Sequence, residues 1–236
     1  MRQDKRSADA LRPISIKRQF TRYAPGSVLV CFGETKVLCT ACFEEKPPHW
    51  LRGKGKGWIT AEYAMLPSAT HTRSSRDSAQ RGRAQEISRL IGRSLRAVTN
   101  LSTMGECMVV IDCDVIQADG GTRSAAITGG WIALHDAFQI SVQSSHLEQS
   151  PLTGTCAAVS VGMVKGKALL DLDYGEDSEA DVDMNIVMDG AGNLIEIQGA
   201  AEGAPFSRKA LDQMLALSEK GIREILSIQE QALRND

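Results

Sequence analysis

The chain of 236 residues is 42% hydrophobic and 24% charged, proportions that exclude a collagenous or a disordered protein. Its longest apolar runs, such as residues 28–32, are too short to cross a bilayer, and residues 1–6 lead into no apolar stretch of a secretory signal, so a cytoplasmic protein is expected. The net charge of −2 conceals an asymmetry, with 19 Lys and Arg against 8 Asp and Glu in residues 1–100, and 8 against 21 in residues 101–236. That balance is either ordinary solvated charge or the mark of an enzyme that grips a polyanion and handles a divalent cation.

The predicted elements begin with three strands, at 14–20, 27–32 and 36–43, a meander divided by Ala24-Pro25-Gly26 and Gly33-Glu34-Thr35. Cys39 and Cys42 lie three apart on the third strand, so their thiols face opposite sides and neither pair nor chelate one ion. No second such pair follows, and the six cysteines read as small buried hydrophobes in a reducing compartment. Lys46-Pro47-Pro48 breaks regular structure, and Gly53-Lys54-Gly55-Lys56-Gly57 makes a flexible basic loop. A strand at 58–66 stops before Pro67. Segment 68–82 has no apolar period, holds Arg73, Arg76 and Arg81, and reads as a loop.

Ile87, Leu90, Ile91, Leu95 and Val98 then recur at helical spacing. A strand at 108–116 runs into Gly120-Gly121-Thr122-Arg123, after which Trp131, Leu134, Phe138 and Val142 share one face of a second helix. Four strands follow, at 157–164, 168–172, 182–188 and 194–198, and a helix from about Ser207 closes the chain. The order predicts a mixed α/β (α+β) fold of βαβ-like units packed on helices, as one domain over residues 1–236.

Three constellations could carry chemistry. Strand, glycine turn and helix at Gly120–Arg123 leave backbone N–H groups free for an anion, with a hydroxyl from Thr122 and a guanidinium fork from Arg123. A plain strand-to-helix turn would look the same. Arg81-Gly82-Arg83 places arginines against the macrodipole of the first helix, which makes sense around an anion or in a solvated loop. Residues 171–183 contain seven acids and no Lys or Arg, and alternation puts Asp181, Asp183 and Asn185 on one strand face. Such a row is a hard-cation site, a home for an acid of raised pKa, or an acidic surface hairpin.

These stretches also occur together in a known pattern. Residues 57–63 (Gly-Trp-Ile-Thr-Ala-Glu-Tyr), 111–123, Glu176-Asp177-Ser178 with Asp183-Met184-Asn185, and residues 195–203 closely resemble bacterial ribonuclease PH, in that family's order and from Arg12 to the final helix. The resemblance implies a phosphate-dependent 3′→5′ exoribonuclease of the ribonuclease PH fold that trims tRNA precursors, releases nucleoside diphosphates and assembles as a homohexamer, a trimer of dimers. It implies inorganic phosphate held between Arg83 and Gly121-Thr122-Arg123. Asp177 and Asp183 would be the catalytic pair beside a divalent metal, expected to be Mg²⁺. Within it, Asp183 is expected to act as a general or metal-held acid and Asp177 to hold the metal.

Phosphorolysis takes its nucleophile from solution, which agrees with the absence of any nucleophile-elbow motif. Arg73, Arg76, Lys54 and Lys56 are expected to contact RNA phosphates without regard to sequence, and with aromatics at only 5% the grip should be mainly electrostatic. The chain departs from the family pattern at Ser68, usually arginine, at Ala84-Gln85 after Arg83, and in a loop before Arg83 that is about three residues short. A non-catalytic RNA-binding ring subunit is the alternative, and a hydrolytic nuclease relying on metals alone has no use for the arginines.

Overall fold

The structure, a computed structural model, describes residues 2–76 and 82–234. Strands β1 (Ile14–Arg18), β2 (Gly26–Phe32), β3 (Thr35–Glu44), β4 (Trp58–Met65) and β5 (Met108–Gln117) form one sheet in the order β1-β2-β3-β5-β4. Its first three strands are the expected antiparallel meander. β4 and β5 pair in parallel, Ala61 opposite Ile111, and helix α1 (Gly82–Ala97) lies in the connection between them. A parallel pair requires such a crossover, which makes β4–α1–β5 the βαβ unit of the fold.

A second, antiparallel sheet comprises β6 (Cys156–Val164), β7 (Lys167–Leu170), β8 (Val182–Asp189) and β9 (Leu194–Ala201), in the order β7-β6-β8-β9. Helix α2 (Thr122–Gln143) packs on β2 and β3 of the first sheet and on β6 of the second. The expected single apolar face at Trp131, Leu134 and Phe138 is therefore too narrow: Ala125, Ala126, Gly129, Gly130 and Ala133 are buried as well. Small residues are needed there, since a Cβ on Gly129 would lie 2.6 Å from Val30 Cγ1. Helix α4 (Arg208–Arg234) covers β6 and β7, and its buried Gln229 donates to the Thr128 and Cys156 carbonyls. Buried residues of both sheets and all three long helices form one continuous cluster, each large aliphatic member contributing roughly 1.5–3 kcal/mol.

Strand ends differ from the sequence reading where the backbone turns left-handed. β1 stops at Arg18 because Gln19 takes φ +50°, and β7 stops at Leu170 because Asp171 takes φ +53°. A fourth helix, α3 (Tyr174–Ser178), interrupts the acidic run; Asp173 caps it and Glu176 completes a capping box. Arg81 and the rest of segment 77–81 lie outside the described residues. Cys39 and Cys42 do face opposite sides, one buried and one partly exposed, and the described cysteines are all free. No helix among the described residues is long and apolar enough to cross a membrane.

Candidate active site

The turn between β5 and α2 is built by two left-handed glycines, Gly120 at φ +72° and Gly121 at φ +62°. Their lack of a side chain is used twice. A Cβ on Gly120 would sit 2.5 Å from the Leu172 carbonyl oxygen, and one on Gly121 would sit 2.9 Å from Arg12 Nη2. The turn is thus pressed against the segment that leads into α3. Buried Arg12 clamps it in place, donating from Nε and Nη2 to the Asp171 carboxylate at 3.0 and 2.7 Å and from Nη1 to the Asp119 carbonyl. Burial alone would lower the Arg12 pKa, but the hydrogen bonds and charge of Asp171 outweigh it and raise it. Gly121 is the N-cap of α2 and provides no side-chain cap, so no such group engages the first N–H donors of the helix.

The hydroxyl of Thr122 is 2.7 Å from that of Tyr63 on β4, so the group expected to face an anion is shared with a buried phenol. Burial pushes the Tyr63 phenol up, while Thr122, Arg83 and Arg123 pull it back. The mostly buried Arg123 guanidinium donates from Nη1 to Gln198 Oε1 on β9 at 2.5 Å and lies 3.7 Å from Glu86 Oε1 on α1. Burial first and the neighbouring positive charge of Arg83 second lower its pKa. Arg83 is exposed at the start of α1. Two guanidinium groups from different elements therefore repel one another, an arrangement that an anion between them would relieve.

The carboxylate pair lies within electrostatic reach of these arginines. Asp177 on α3 is solvent-exposed as a residue, yet protein around its carboxyl desolvates it and raises its pKa, with Asp183 on β8 adding a like charge. Arg83, Arg123 and Arg12 act in the opposite direction. Other members of the acidic run have structural partners: Asp171 pairs with Arg12, Asp173 caps α3, and Glu179 lies 2.7 Å from Lys165 Nζ. Glu176 accepts a two-pronged bond from Arg2 at 2.6 Å per contact, next to Asp177 in the chain. Asn185, expected beside Asp183 on an open face, is buried at 3.5 Å from Ser124 Oγ.

Arg73 and Arg76 are exposed on a loop tied to the glycine turn by the Ala118 N–H, which donates to the Ala69 carbonyl at 2.8 Å. The structure joins their loop to the glycine turn. It does not bring Lys54 and Lys56 there. Their loop precedes Trp58, at the far end of β4 from Tyr63, where Trp58 stacks under Arg96 at the C-terminal end of α1. From Arg83 to Arg96 the helix rises about 20 Å. A cavity of about 620 Å³ opens behind α3, lined by Arg2, Arg6, Lys165 and Lys167 among others; of its acids, Asp173 caps α3, Glu176 pairs with Arg2 and Glu179 with Lys165. Arg2, Arg12 and Tyr63 escaped sequence reasoning because their partners are 174, 159 and 59 positions away. The capping-box spacing of Asp173 and Glu176 was a legible local signal for α3.

Two family models match the chain, the 3′ exoribonuclease family domain 1 over residues 10–138 and domain 2 over residues 154–221. The chain belongs to the ribonuclease PH family. Proteins named ribonuclease PH from Methylobacterium radiotolerans and Methylocella silvestris are 56% and 55% identical to it over 236 residues, 99% of this chain and 100% of each relative. The ribonuclease PH fold also appears in a chain of the Archaeoglobus fulgidus exosome solved with RNA bound to the active site. That match has a TM-score of 0.83 at 22% identity, over 96% of this chain and 91% of the other. Rice Rrp46 matches with a TM-score of 0.80 at 18% identity, over 98% and 100%. Domain 1 of the family spans the first sheet with α1 and most of α2, and domain 2 the second sheet with the start of α4.

Proposed function

We propose that the chain is a phosphate-dependent 3′→5′ exoribonuclease that removes RNA 3′ ends as nucleoside diphosphates. Arg83 and Arg123, within electrostatic reach of each other and of Asp177 and Asp183, together with the uncapped start of α2, carry this reading. An inorganic phosphate between the two arginines, also met by the N–H groups at Gly121 and Thr122, is desolvated and aimed at the terminal phosphodiester. Its oxygen forms a bond to that phosphorus, the bond to the 3′-oxygen of the preceding nucleotide breaks, and this oxygen takes up a proton. Asp183 and Asp177 supply that end of the reaction as one unit, because two like charges in one site hold either a shared proton or a cation between them.

Two carboxylates with no third ligand group among the described residues suit Mg²⁺, which keeps waters and binds partly through substrate phosphate. Asp177 and Asp183 would hold it, and it would neutralise charge building on the leaving oxygen. Arg73 and Arg76 receive RNA phosphates at the mouth; Lys54 and Lys56 serve the body of a longer substrate about 20 Å away. Transfer-RNA precursors as substrates, a homohexamer built as a trimer of dimers, action in the cytoplasm and a single domain over residues 1–236 complete the proposal. The continuous core shared by both sheets supports the last point. A non-catalytic subunit is disfavoured because both arginines and both aspartates are present.

The reverse reaction tests the proposal. With nucleoside diphosphates in excess and little phosphate, the protein should extend an RNA 3′ end and release inorganic phosphate. RNA that is only shortened under those conditions would refute it.

A further inference from the structure

Two exposed rings, one of them on the helix that carries Asp177, take no part in the chemistry above. Tyr174 is the first residue of α3 and Asp177 comes three later, so their side chains share one face of that short helix. The Tyr174 backbone N–H donates to Asp119 Oδ1 at 3.3 Å, which ties the residue to the glycine turn, yet the residue is 56% exposed. His71, also exposed, comes from the loop that carries Arg73 and Arg76. Its ring centroid lies 6.3 Å from that of Tyr174, with the planes inclined at 57°.

A tyrosine wet over half its surface and inclined at 57° to the neighbouring ring has surface to offer a planar ligand. Its neighbour His71 is two residues from Arg73, and its helix carries Asp177, whose carboxyl feels the charges of Arg83 and Arg123. A ligand that presents phosphates at both ends and an apolar plane between them is a stretch of single-stranded nucleic acid.

We propose that Tyr174 and His71 form a stacking site for an RNA base next to the scissile phosphate, with Tyr174 as the platform and His71 as its rim. The site belongs to the phosphorolytic reading given above, since the base it holds is that of a nucleotide flanking the bond to be cut. Stacking on an aromatic face is indifferent to base identity, as removal of successive nucleotides requires. It also qualifies the expectation of a mainly electrostatic grip: the aromatics are few, but two of them stand where the 3′ end must lie.

The test compares two oligoribonucleotides of equal length, one intact and one lacking the bases of its last two nucleotides, by equilibrium binding without phosphate. The native protein should bind the intact RNA about tenfold more tightly, the equivalent of one stacked base. Tyr174→Ala and Tyr174→Leu should each reduce that ratio to near one, Tyr174→Trp should restore it, and KM for phosphate should stay unchanged in all three. A full intact-to-abasic ratio in Tyr174→Ala, or a phosphate KM that shifts as far as RNA affinity, would overturn the site. Failure of the phosphorolytic reading looks different: the ratio responds to Tyr174, but no variant consumes phosphate.

Discussion

Single side chains divide into those that touch the anion and those that hold the anion's neighbours. Arg123, proposed to be of the first kind, is held by Gln198, so its truncation should act on phosphate. Arg123→Ala is expected to raise KM for phosphate by one to two orders of magnitude, roughly what a charge-assisted hydrogen bond contributes, with a smaller effect on KM for RNA. Equal effects on both would show that the guanidinium serves RNA. Asp183→Asn should lower kcat by about 10²-fold or more, within the range of general acid catalysis, and near-normal turnover would remove Asp183 from that role. Gly120 is of the second kind. Gly120→Ala places a methyl against the Leu172 carbonyl in a left-handed backbone and should cost about 1–3 kcal/mol in urea unfolding, along with activity. At this scale the sequence pointed to Arg123 and Asp183 through residue type and position alone. Arg12 and Tyr63 were hidden because nothing near them in the chain announces a partner on another element.

Elements were legible wherever one face alone is buried. β3 alternates strictly along its length and α1 carries one apolar stripe, and both were read at nearly the right boundaries. α2 gave a weaker pattern because it lies between two sheets and is buried all round, and α3 was too short to show any period. The seams between elements depend on buried ion pairs. Arg18 of β1 donates from Nε and Nη2 to Asp136 of α2 at 2.9 and 2.8 Å, and Arg18 Nη1 reaches the Ala232 carbonyl at the end of α4. Burial tends to raise the Asp136 pKa, but bonds from His135 and Arg18 prevail and lower it. A carboxyl lowered by folding contributes stability above its unfolded pKa near 4, and that contribution disappears as pH falls through the folded value. Asp136→Asn should therefore be less stable than the native protein by roughly 3 kcal/mol at pH 7, with the difference shrinking below pH 4. A gap that is constant from pH 7 to pH 3 would contradict the ion pair as its source.

At the scale of the whole molecule, the two sheets each deliver half of the site. The first provides Tyr63, Arg83 on its crossover helix and the glycine turn; the second provides Asp177, Asp183 and, through Gln198, the support of Arg123. The sequence showed this division only as an imbalance of charge, basic before residue 100 and acidic after it. Pairing between the halves is what joins the two charges, through contacts that run from Arg123–Gln198, 75 residues apart, to Arg12–Asp171, 159 apart. Binding of RNA to the basic border should weaken steeply between 50 and 200 mM salt, and affinity that is flat over that range would exclude Arg73 and Arg76 as phosphate contacts. The decisive measurement is the product released from a 3′-labelled RNA with and without inorganic phosphate. Two guanidinium groups gathered around one anion predict nucleoside diphosphates when phosphate is present and no release when it is withheld. Nucleoside monophosphates appearing at the same rate in both tubes would contradict the cradle and make the enzyme a hydrolase.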